Sequence, residues 1–538
     1  MTGTLLLTRA ALRRDRGQLL LWSLGLLVGA AVCAVNIGSG FGEEAQRIAS
    51  LEVAINSPAL LIGRGLPMGT SEGAFLFYMY GVMFATVFAV FATFFAVRHG
   101  RAEEDDGTRE LLRAAATGRS ASLAAACAAG TIETAGLAAA MVSGFVVGGA
   151  DPAGSIWAGA TCTLVGLACL AIGTLCGQLA PTARAATGLG ATALTLFFVV
   201  RAIADVQADI DPLTFVGTPV FLGWLSPFSL ALIADPYGAV NPWPLVILTA
   251  AATLGVAVAI AVERRREFGS AILPSRPGPA HAPATLRSSL RLTLRLQRGT
   301  LLAMMLVGAG VGAFAAILAM LAVADDAQNN AIGEMIRALL GHDGPLYDLL
   351  LSYVMVLVGE SAAIAGGLVI LRARREEAAG NVELVRGTDT GPGRWFIGVL
   401  TVGAVSILLV LVTAWIGAAT VYSARGMNAD AIWQVFAATA AQLPATVLYL
   451  GLIALAFALL PRLTSAITWT ILAIGVVIAE LGGRLGLPDW AIAISPFMHT
   501  PLVTTADPDW GGAIWMTAAA VATSALAIVV YRRRDLSP

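Results

Sequence analysis

The sequence predicts an all-α polytopic membrane protein with about twelve transmembrane helices, arranged as two parallel six-helix halves. The first reason is composition: 57% of the 538 residues are hydrophobic and the mean hydropathy is +0.80, above the ~45–50% apolar content of soluble domains. The second reason is that apolar runs of about 20 residues, long enough to cross a hydrocarbon core roughly 30 Å thick, recur along the chain. The third reason is that its charged segments repeat, which makes the two halves alike.

Twelve spans are predicted from the apolar runs and the charged, Pro or Gly breaks between them. They cover residues 17–37, 74–97, 121–147, 154–178, 184–204, 243–262, 300–322, 348–371, 395–421, 430–460, 463–481 and 511–531. With this topology, 27 of the 33 arginines fall in loops assigned to the cytoplasm. This positive-inside asymmetry predicts that both termini are cytoplasmic. The Ala- and Gly-rich, lysine-free composition points to the plasma (inner) membrane of a bacterium.

The most charged stretch is RHGRAEEDDGTRELLRAAATGRS, Arg98 to Ser120, which contains ten charged side chains. At about 2.5–3.5 kcal/mol for each charge at the bilayer centre, burying it in the membrane would cost some tens of kcal/mol. The stretch is therefore predicted to be a cytoplasmic helix between the second and third spans, at 101–119. Its acidic residues come first and arginines last, an order that suits a helix dipole.

An internal repeat relates the two halves of the chain. At a constant offset of 273 residues, one charged set matches a second: Glu103, Glu104, Gly107, Glu110, Leu111 and Arg113 correspond to Glu376, Glu377, Gly380, Glu383, Leu384 and Arg386. The segments ERRREF (Glu263–Phe268) and YRRRDL (Tyr531–Leu536) end the two halves, and basic arms at 5–16 and 286–298 begin them. The repeat predicts a first half at 1–268, a Pro-rich linker at 269–285 and a second half at 286–538, with the second charged helix at 374–394. Because each half has six spans, an even number, the repeats are predicted to be parallel.

Several kinds of chemistry are excluded by composition. The sequence contains no lysine, and a phosphate-binding loop of the GxxxxGK[ST] type requires one. If ATP drives this protein, another polypeptide hydrolyses it. The formal net charge of −1 predicts no nucleic-acid partner. The five cysteines and four histidines show neither metal-ligand spacing nor nucleophile–base pairing, so no metal site, cofactor or catalytic residue is predicted.

Two kinds of residue are candidates for a substrate cavity. Phe77, Phe84, Phe88 and Phe91 form one helical stripe in the second span, which suits either helix packing or contact with an apolar, ring-containing molecule. Glu133 and Glu360 lie near the middle of predicted spans, where a carboxylate normally faces a partner or a wet cavity. Recognition of a cationic group, proton coupling and local satisfaction at a helix contact all stay open for them.

The basic leading helix, the six spans and the pattern EE..G...ELL......R resemble the ABC-2 type exporter permeases, whose halves are type V exporter-like. The fused pair of halves joined by LPSRPGP is similar to the actinobacterial permeases of polyketide-antibiotic (tetronasin-type) and multidrug exporters. The resemblance implies efflux of hydrophobic or amphipathic small molecules, such as antibiotics, with two copies of a separately encoded ATP-binding subunit that binds ATP and Mg.

The same resemblance implies that 101–119 and 374–394 are coupling helices seated on the ATP-binding subunits. It also implies that the arms 5–16 and 286–298 lie along the inner membrane surface. The second copy departs from the pattern, because Ala378 and Ala379 stand where the first has Asp105 and Asp106. The two contacts are therefore expected to be unequal.

Two other functions stay open from the sequence. One is a lipid or glycolipid exporter of the same ATP-driven type, since an apolar cavity suits both cargoes. The other is a twelve-span secondary transporter driven by protons through Glu133 or Glu360.

Overall fold

The protein is described from a computed structural model that covers residues 3–114, 118, 120–267, 269–274, 281, 283, 286, 288–321, 346–388, 390–482, 487–503 and 508–534. The chain divides into two compact units, Met1–Gly278 and Pro279–Pro538. This boundary lies inside the predicted linker. The start of that linker packs on the first unit, since the Leu273 amide donates a hydrogen bond to the Leu179 carbonyl over 2.9 Å.

The first unit is helical apart from one small hairpin. Its helices are α1 (Thr4–Gly40), α2 (Glu44–Ile55), α3 (Pro58–Arg64), α4 (Glu72–Val97), α5 (Glu103–Asp105), α6 (Thr108–Ala114), α7 (Ala121–Val147), α8 (Pro152–Leu179), α9 (Ala183–Gln207), α10 (Pro227–Ile233) and α11 (Pro242–Arg265). A π-helical turn (Arg98–Ala102) joins α4 to α5, and a 3-10 turn (Phe221–Leu225) precedes α10. Strands β1 (Asp209–Ile210) and β2 (Gly217–Thr218) pair antiparallel, with Asp209 opposite Thr218.

The second unit has the same kind of architecture. Its helices are α12 (Ser289–Leu321), α13 (Leu346–Ala378), α14 (Asn381–Arg386), α15 (Pro392–Ala424), α16 (Ala429–Ala440), α17 (Leu443–Leu459), α18 (Thr464–Leu481), α19 (Asp489–Ile492) and α20 (Gly511–Arg533). A 3-10 turn (Pro496–His499) follows α19.

The predicted class, an all-α polytopic membrane protein, is confirmed. In the described part of the chain, eleven helices are long and apolar enough to cross a membrane. They are α1, α4 with its continuation α5, α7, α8, α9, α11, α12, α13, α15, α16 with α17, and α20. The remaining predicted span, 463–481, is the apolar helix α18, whose 18 residues make it shorter than the others.

The predicted arms are not separate helices. Residues 4–40 form one helix of 37 residues, about 55 Å long at 1.5 Å per residue, so the first arm continues directly into the first span. In the second unit, α12 likewise carries the arm residues from Ser289 onward into the span.

The predicted charged helices at 101–119 and 374–394 are each interrupted, contrary to the sequence interpretation. In both units the helix of the second span continues beyond the predicted span, stops at a glycine and resumes as a short helix. Gly107 has φ 76° and Gly380 has φ 74°, a left-handed conformation that glycine adopts readily and that ends helices. The glycine that recurs in both segments therefore ends the helix inside each of them.

Small residues bring the first and third spans of each unit into close contact. A Cβ atom at Gly144 of α7 would lie 2.3 Å from the Leu27 carbonyl oxygen of α1. In the second unit, a Cβ atom at Gly312 of α12 would lie 1.9 Å from the Ala414 carbonyl oxygen of α15. Because small residues let helix backbones approach closely in membranes, the same packing device recurs in both units.

This packing predicts the result of a single methyl insertion. Gly144→Ala is expected to destabilise the first unit by about 1–3 kcal/mol, because its Cβ would collide with backbone rather than with a flexible side chain. Gly136→Ala on the same helix is the matched control, since nothing lies within 4 Å of a Cβ at that position. Thermal unfolding of the two purified variants measures the difference. Equal melting temperatures would contradict the proposed close contact.

Candidate functional sites

Two turn–helix segments carry the charged residues that the repeat singles out. We call residues 103–112 the first charged segment and residues 376–386 the second charged segment. Their turns have the same hydrogen bonds: the Gly107 amide donates to the Glu104 carbonyl over 3.3 Å, and the Gly380 amide donates to the Glu377 carbonyl over 3.0 Å. Arg113 follows in α6, but its side chain lies outside the described part of the structure.

In the first charged segment, Glu104 points into the unit. Its carboxylate is 2% exposed and accepts hydrogen bonds from Arg266 over 2.5 Å and from Arg101 over 3.4 Å. The Gly269 amide donates to its other oxygen over 2.9 Å. Because Arg266 follows the last residue of α11, this carboxylate ties the first charged segment to the last helix of the unit.

In the second charged segment, Glu377 makes the corresponding contact. Its carboxylate is 2% exposed, forms an ion pair with Arg534 and accepts a hydrogen bond from the Tyr531 hydroxyl over 3.1 Å. Arg534 follows the last residue of α20 and also donates to the Phe457 carbonyl over 2.7 Å. Both units therefore fasten their charged segment with an inward carboxylate. The sequence interpretation grouped Glu104 and Glu377 with the ATPase-coupling residues, and in this structure both carboxylates face the interior of their own units.

A second buried contact differs between the units. In the first, Arg109 is 3% exposed and lies 3.3 Å from the Glu263 carboxylate. Burial lowers the pKa of the Arg109 guanidinium, while the nearby Glu263 carboxylate opposes this shift. At the repeat-equivalent positions the second unit has Val382, which is buried, and Tyr531. Sequence reasoning missed Arg109 and Glu263, although the match between ERRREF and YRRRDL marks the second of these positions.

The exposed parts of the two charged segments are alike. Leu111 is 77% exposed and its repeat equivalent Leu384 is 78% exposed. The residues just before them, Glu110 and Glu383, are also exposed. Arg386 is half-buried at the end of α14. Each unit thus presents a large apolar side chain beside a carboxylate.

The first charged segment is bonded to the arm of α1 by a cluster of charges. Arg14 donates to the Glu103 carboxylate over 2.5 Å and to His99 Nδ1 over 2.8 Å. His99 is 2% exposed, and its Nε2 lies 2.6 Å from an Asp15 oxygen that also pairs with Arg98 over 2.6 Å. Arm, π-helical turn and charged segment are therefore held together.

The second unit has no counterpart of this cluster among its described residues. Leu296, Gln297 and Arg372 occupy the positions of Arg14, Asp15 and His99, and Glu376 pairs with Arg372 of its own helix over 3.2 Å. A cavity of about 330 Å³ lies here between α12, α13, α14 and α15. Both charged segments are thus anchored to the last helix of their unit by an inward carboxylate, but they are unequally bonded to the arm.

The phenylalanine stripe packs inside the first unit. Phe77, Phe84, Phe88 and Phe91 are at most 6% exposed, and Phe84 meets Phe145 of α7 edge-on, with ring centroids 5.1 Å apart. In this structure the stripe is part of the buried core of the first unit; contact of these rings with a substrate stays a prediction.

The two membrane carboxylates have different surroundings. Glu133 of α7 is 1% exposed. Glu360 of α13 is 6% exposed and lines a groove of about 350 Å³ bounded by α12, α13 and α18. In the described structure, one oxygen of each has no hydrogen-bond partner. Position 87, which is equivalent to Glu360 in the first unit, is a valine.

Comparison with known proteins points to one group of permeases. A family model described as "Multidrug efflux system permease Rv1217c, C-terminal domain" matches residues 8–264 and 286–532. The multidrug efflux system permease protein Rv1217c of Mycobacterium tuberculosis (strain ATCC 25618 / H37Rv) is 28% identical over 547 residues, covering 99% of this chain and 95% of the relative. The matched ranges skip most of the predicted linker and fall on both repeats.

Proposed function

This chain belongs to the Rv1217c family of multidrug efflux system permeases, and from this premise we propose that it exports hydrophobic or amphipathic small molecules with energy from a separately encoded ATP-binding subunit. The chain itself is a multi-pass membrane protein. The arginine distribution supports a bacterial plasma membrane location with both termini in the cytoplasm. ATP and Mg bind to the partner subunit, because a lysine-free chain cannot form a phosphate-binding loop of the GxxxxGK[ST] type.

The observation that carries this proposal is the exposed Glu–Leu pair that recurs at the same position of both charged segments. An isolated exposed leucine needs no explanation, but Leu111 and Leu384 are exposed at repeat-equivalent sites and each follows a carboxylate. A partner with an apolar pocket and a basic rim fits both segments. Two such segments support two copies of the ATP-binding subunit for each permease.

Rigid anchoring explains how movement at such a contact reaches the membrane. The helix from Glu72 through Asp105 is continuous over 34 residues, so the first charged segment begins where the second span ends. Glu104 fastens this junction to the last helix of the unit, and Glu377 does the same in the second unit. Displacement of the Leu111 or Leu384 tip therefore acts on two spans at once.

The leucine tips give the test. In lipid nanodiscs, ATP hydrolysis by a candidate ATP-binding protein encoded next to this permease is measured with the parent permease and with the Leu111→Asp/Leu384→Asp variant. We expect the stimulation of hydrolysis to fall about thirtyfold, as for the loss of about 2 kcal/mol of contact energy. Leu213→Asp is the matched control, since Leu213 is 87% exposed in the β1–β2 hairpin.

Co-purification of the two proteins, lost in the variant and kept in the control, supports an ATP-driven permease. Unchanged hydrolysis in all three proteins contradicts it and favours a proton-driven secondary transporter.

The two single variants compare the segments, and we expect Leu111→Asp to have the larger effect, because the first charged segment is bonded to its arm. Export of a lipid or glycolipid would need the same coupling, so a transport assay with labelled lipid separates the two cargoes.

A further inference from the structure

We propose that the membrane groove around Glu360 binds the charged group of lipophilic organic cations, which makes such cations a substrate class of this permease. The inference rests on the proposed efflux function for its role in transport. The binding site itself stands on the geometry of the second unit alone.

The groove has the size and lining of a small-molecule site. Its volume of about 350 Å³ lies within the ~300–1,000 Å³ typical of ligand pockets. Apolar walls come from three helices: Val311 and Phe314 of α12, Ile364 of α13 and Val476 of α18. Phe314 is 46% exposed, which leaves its ring available to stack on an aromatic ligand or to contact a cation.

The polar group on the wall is a carboxylate with no ion-pair partner in the part of the chain that the structure describes. Glu360 is 94% buried, one of its oxygens accepts no hydrogen bond, and none of the described residues forms an ion pair with it. Its neighbour Ser361 also lines the groove. The Ser361 hydroxyl donates to the Leu357 carbonyl over 2.9 Å, so its own oxygen can only accept. The groove therefore offers acceptors and is suited to a positive ligand.

The first unit shows how a buried acid is satisfied without a ligand. Asp205 of α9 is 3% exposed and lies 3.2 Å from Arg201 of the same helix. The positive charge of Arg201 therefore balances the negative charge of Asp205 within the fold. An uncompensated carboxylate in a membrane span is costly and normally faces a ligand or a wet cavity. No arginine lies beside Glu360 in the described structure, and a bound cation would supply the missing positive charge.

A second carboxylate extends the acidic path along the same helices. Tyr353 lies seven residues before Glu360 on α13, hence on the same helix face, about 10 Å along the axis. Its hydroxyl donates to Glu480, which lies one turn beyond Val476 in the last turn of α18. The carbonyl end of that helix adds partial negative charge. In the proposed topology this end faces outside, so a cation released from Glu360 meets Glu480 on its way out.

A binding assay without the ATP-binding subunit tests the site. The probe is tetraphenylphosphonium, which has a fixed charge and no proton to exchange, and its binding to the purified permease in nanodiscs is measured by equilibrium dialysis. We expect saturable binding that weakens at least about tenfold in Glu360→Gln, because the charge is lost while the shape is kept. Val476→Trp, which fills the groove and leaves the carboxylate in place, is expected to weaken binding as well.

Glu133→Gln is the matched control, because it removes a membrane carboxylate of the first unit that is 1% exposed; we expect it to keep tetraphenylphosphonium binding. No saturable binding to the parent protein, normal binding by a folded Glu360→Gln or Val476→Trp variant, or equal loss in Glu133→Gln would overturn the proposal. Failure of the efflux proposal is recognised separately: ATP hydrolysis by the candidate partner is then the same with the parent permease and with the Leu111→Asp/Leu384→Asp variant, whereas tetraphenylphosphonium binding, measured without that partner, is unaffected.

Discussion

The Glu104→Gln variant is expected to have a free energy of unfolding about 3–5 kcal/mol lower than that of the parent chain. Glu104 neutralises two buried guanidinium groups, those of Arg101 (4% exposed) and Arg266 (8% exposed). An amide in its place removes the negative charge that both guanidinium groups face. Arg101 keeps Asp105 over 3.1 Å and Arg266 keeps the Gln178 amide oxygen over 2.8 Å, but two positive charges then lie close together with little water to solvate them, which is a large penalty. Thermal unfolding of the purified variant measures the loss as a melting temperature lowered by several degrees.

The second unit provides the comparison. Glu377→Gln is expected to cost less, about 1–3 kcal/mol, because Arg534 is 15% exposed and keeps other favourable contacts. Its guanidinium stays over the Phe457 ring, 5.3 Å from the centroid, and bonded to the Phe457 carbonyl. Glu110→Gln serves as the exposed control and is expected to change stability by less than about 0.5 kcal/mol. Equal losses of stability in Glu104→Gln and Glu110→Gln would contradict the inward orientation of the Glu104 carboxylate.

Arg109→Met is expected to destabilise the first unit by a similar amount, about 3–5 kcal/mol, because it leaves the buried Glu263 carboxylate without its arginine. The double variant Arg109→Met/Glu263→Met is expected to recover at least half of this loss, since apolar residues of similar volume can replace a buried ion pair. The second unit already has Val382 in place of the arginine and Tyr531 in place of the glutamate.

The measurement is a double-mutant cycle on melting temperature, with Glu263→Met as the fourth corner. Strong non-additivity is the expected result, because the two side chains share one interaction. If the double variant is as unstable as the sum of the single variants, the pair does not act as a unit and the explanation of the Arg109/Val382 difference is wrong.

These two buried contacts matter for function because they fix the base of the charged segment and leave its tip exposed. Displacement of the exposed leucine moves the membrane helices only if the base of the charged segment stays fixed to them. The anchor through Glu104 or Glu377 is common to both units, whereas among the described residues a cluster such as that of Arg14, His99 and Asp15 occurs in the first unit alone. We therefore expect the two coupling contacts to differ in stiffness rather than in kind.

The sequence by itself determined the membrane class, the repeat and the places where charge collects. Hydropathy, the arginine distribution and the constant offset between Glu103 and Glu376 are local or periodic properties, which can be read without knowing which helix packs on which. The repeat also places Leu111 and Leu384 at equivalent positions, each directly after a glutamate.

Only the tertiary structure decided which side chains point inward. Glu103 and Glu104 are adjacent and chemically alike, yet one pairs with the arm and the other with the end of α11, because successive residues of a helix point about 100° apart. For the same reason the phenylalanine stripe is buried in the core, and Glu360 lines a groove while Glu133 is 1% exposed. The pattern marks a face of a helix, but the neighbouring helices decide whether that face meets protein, lipid or a cavity.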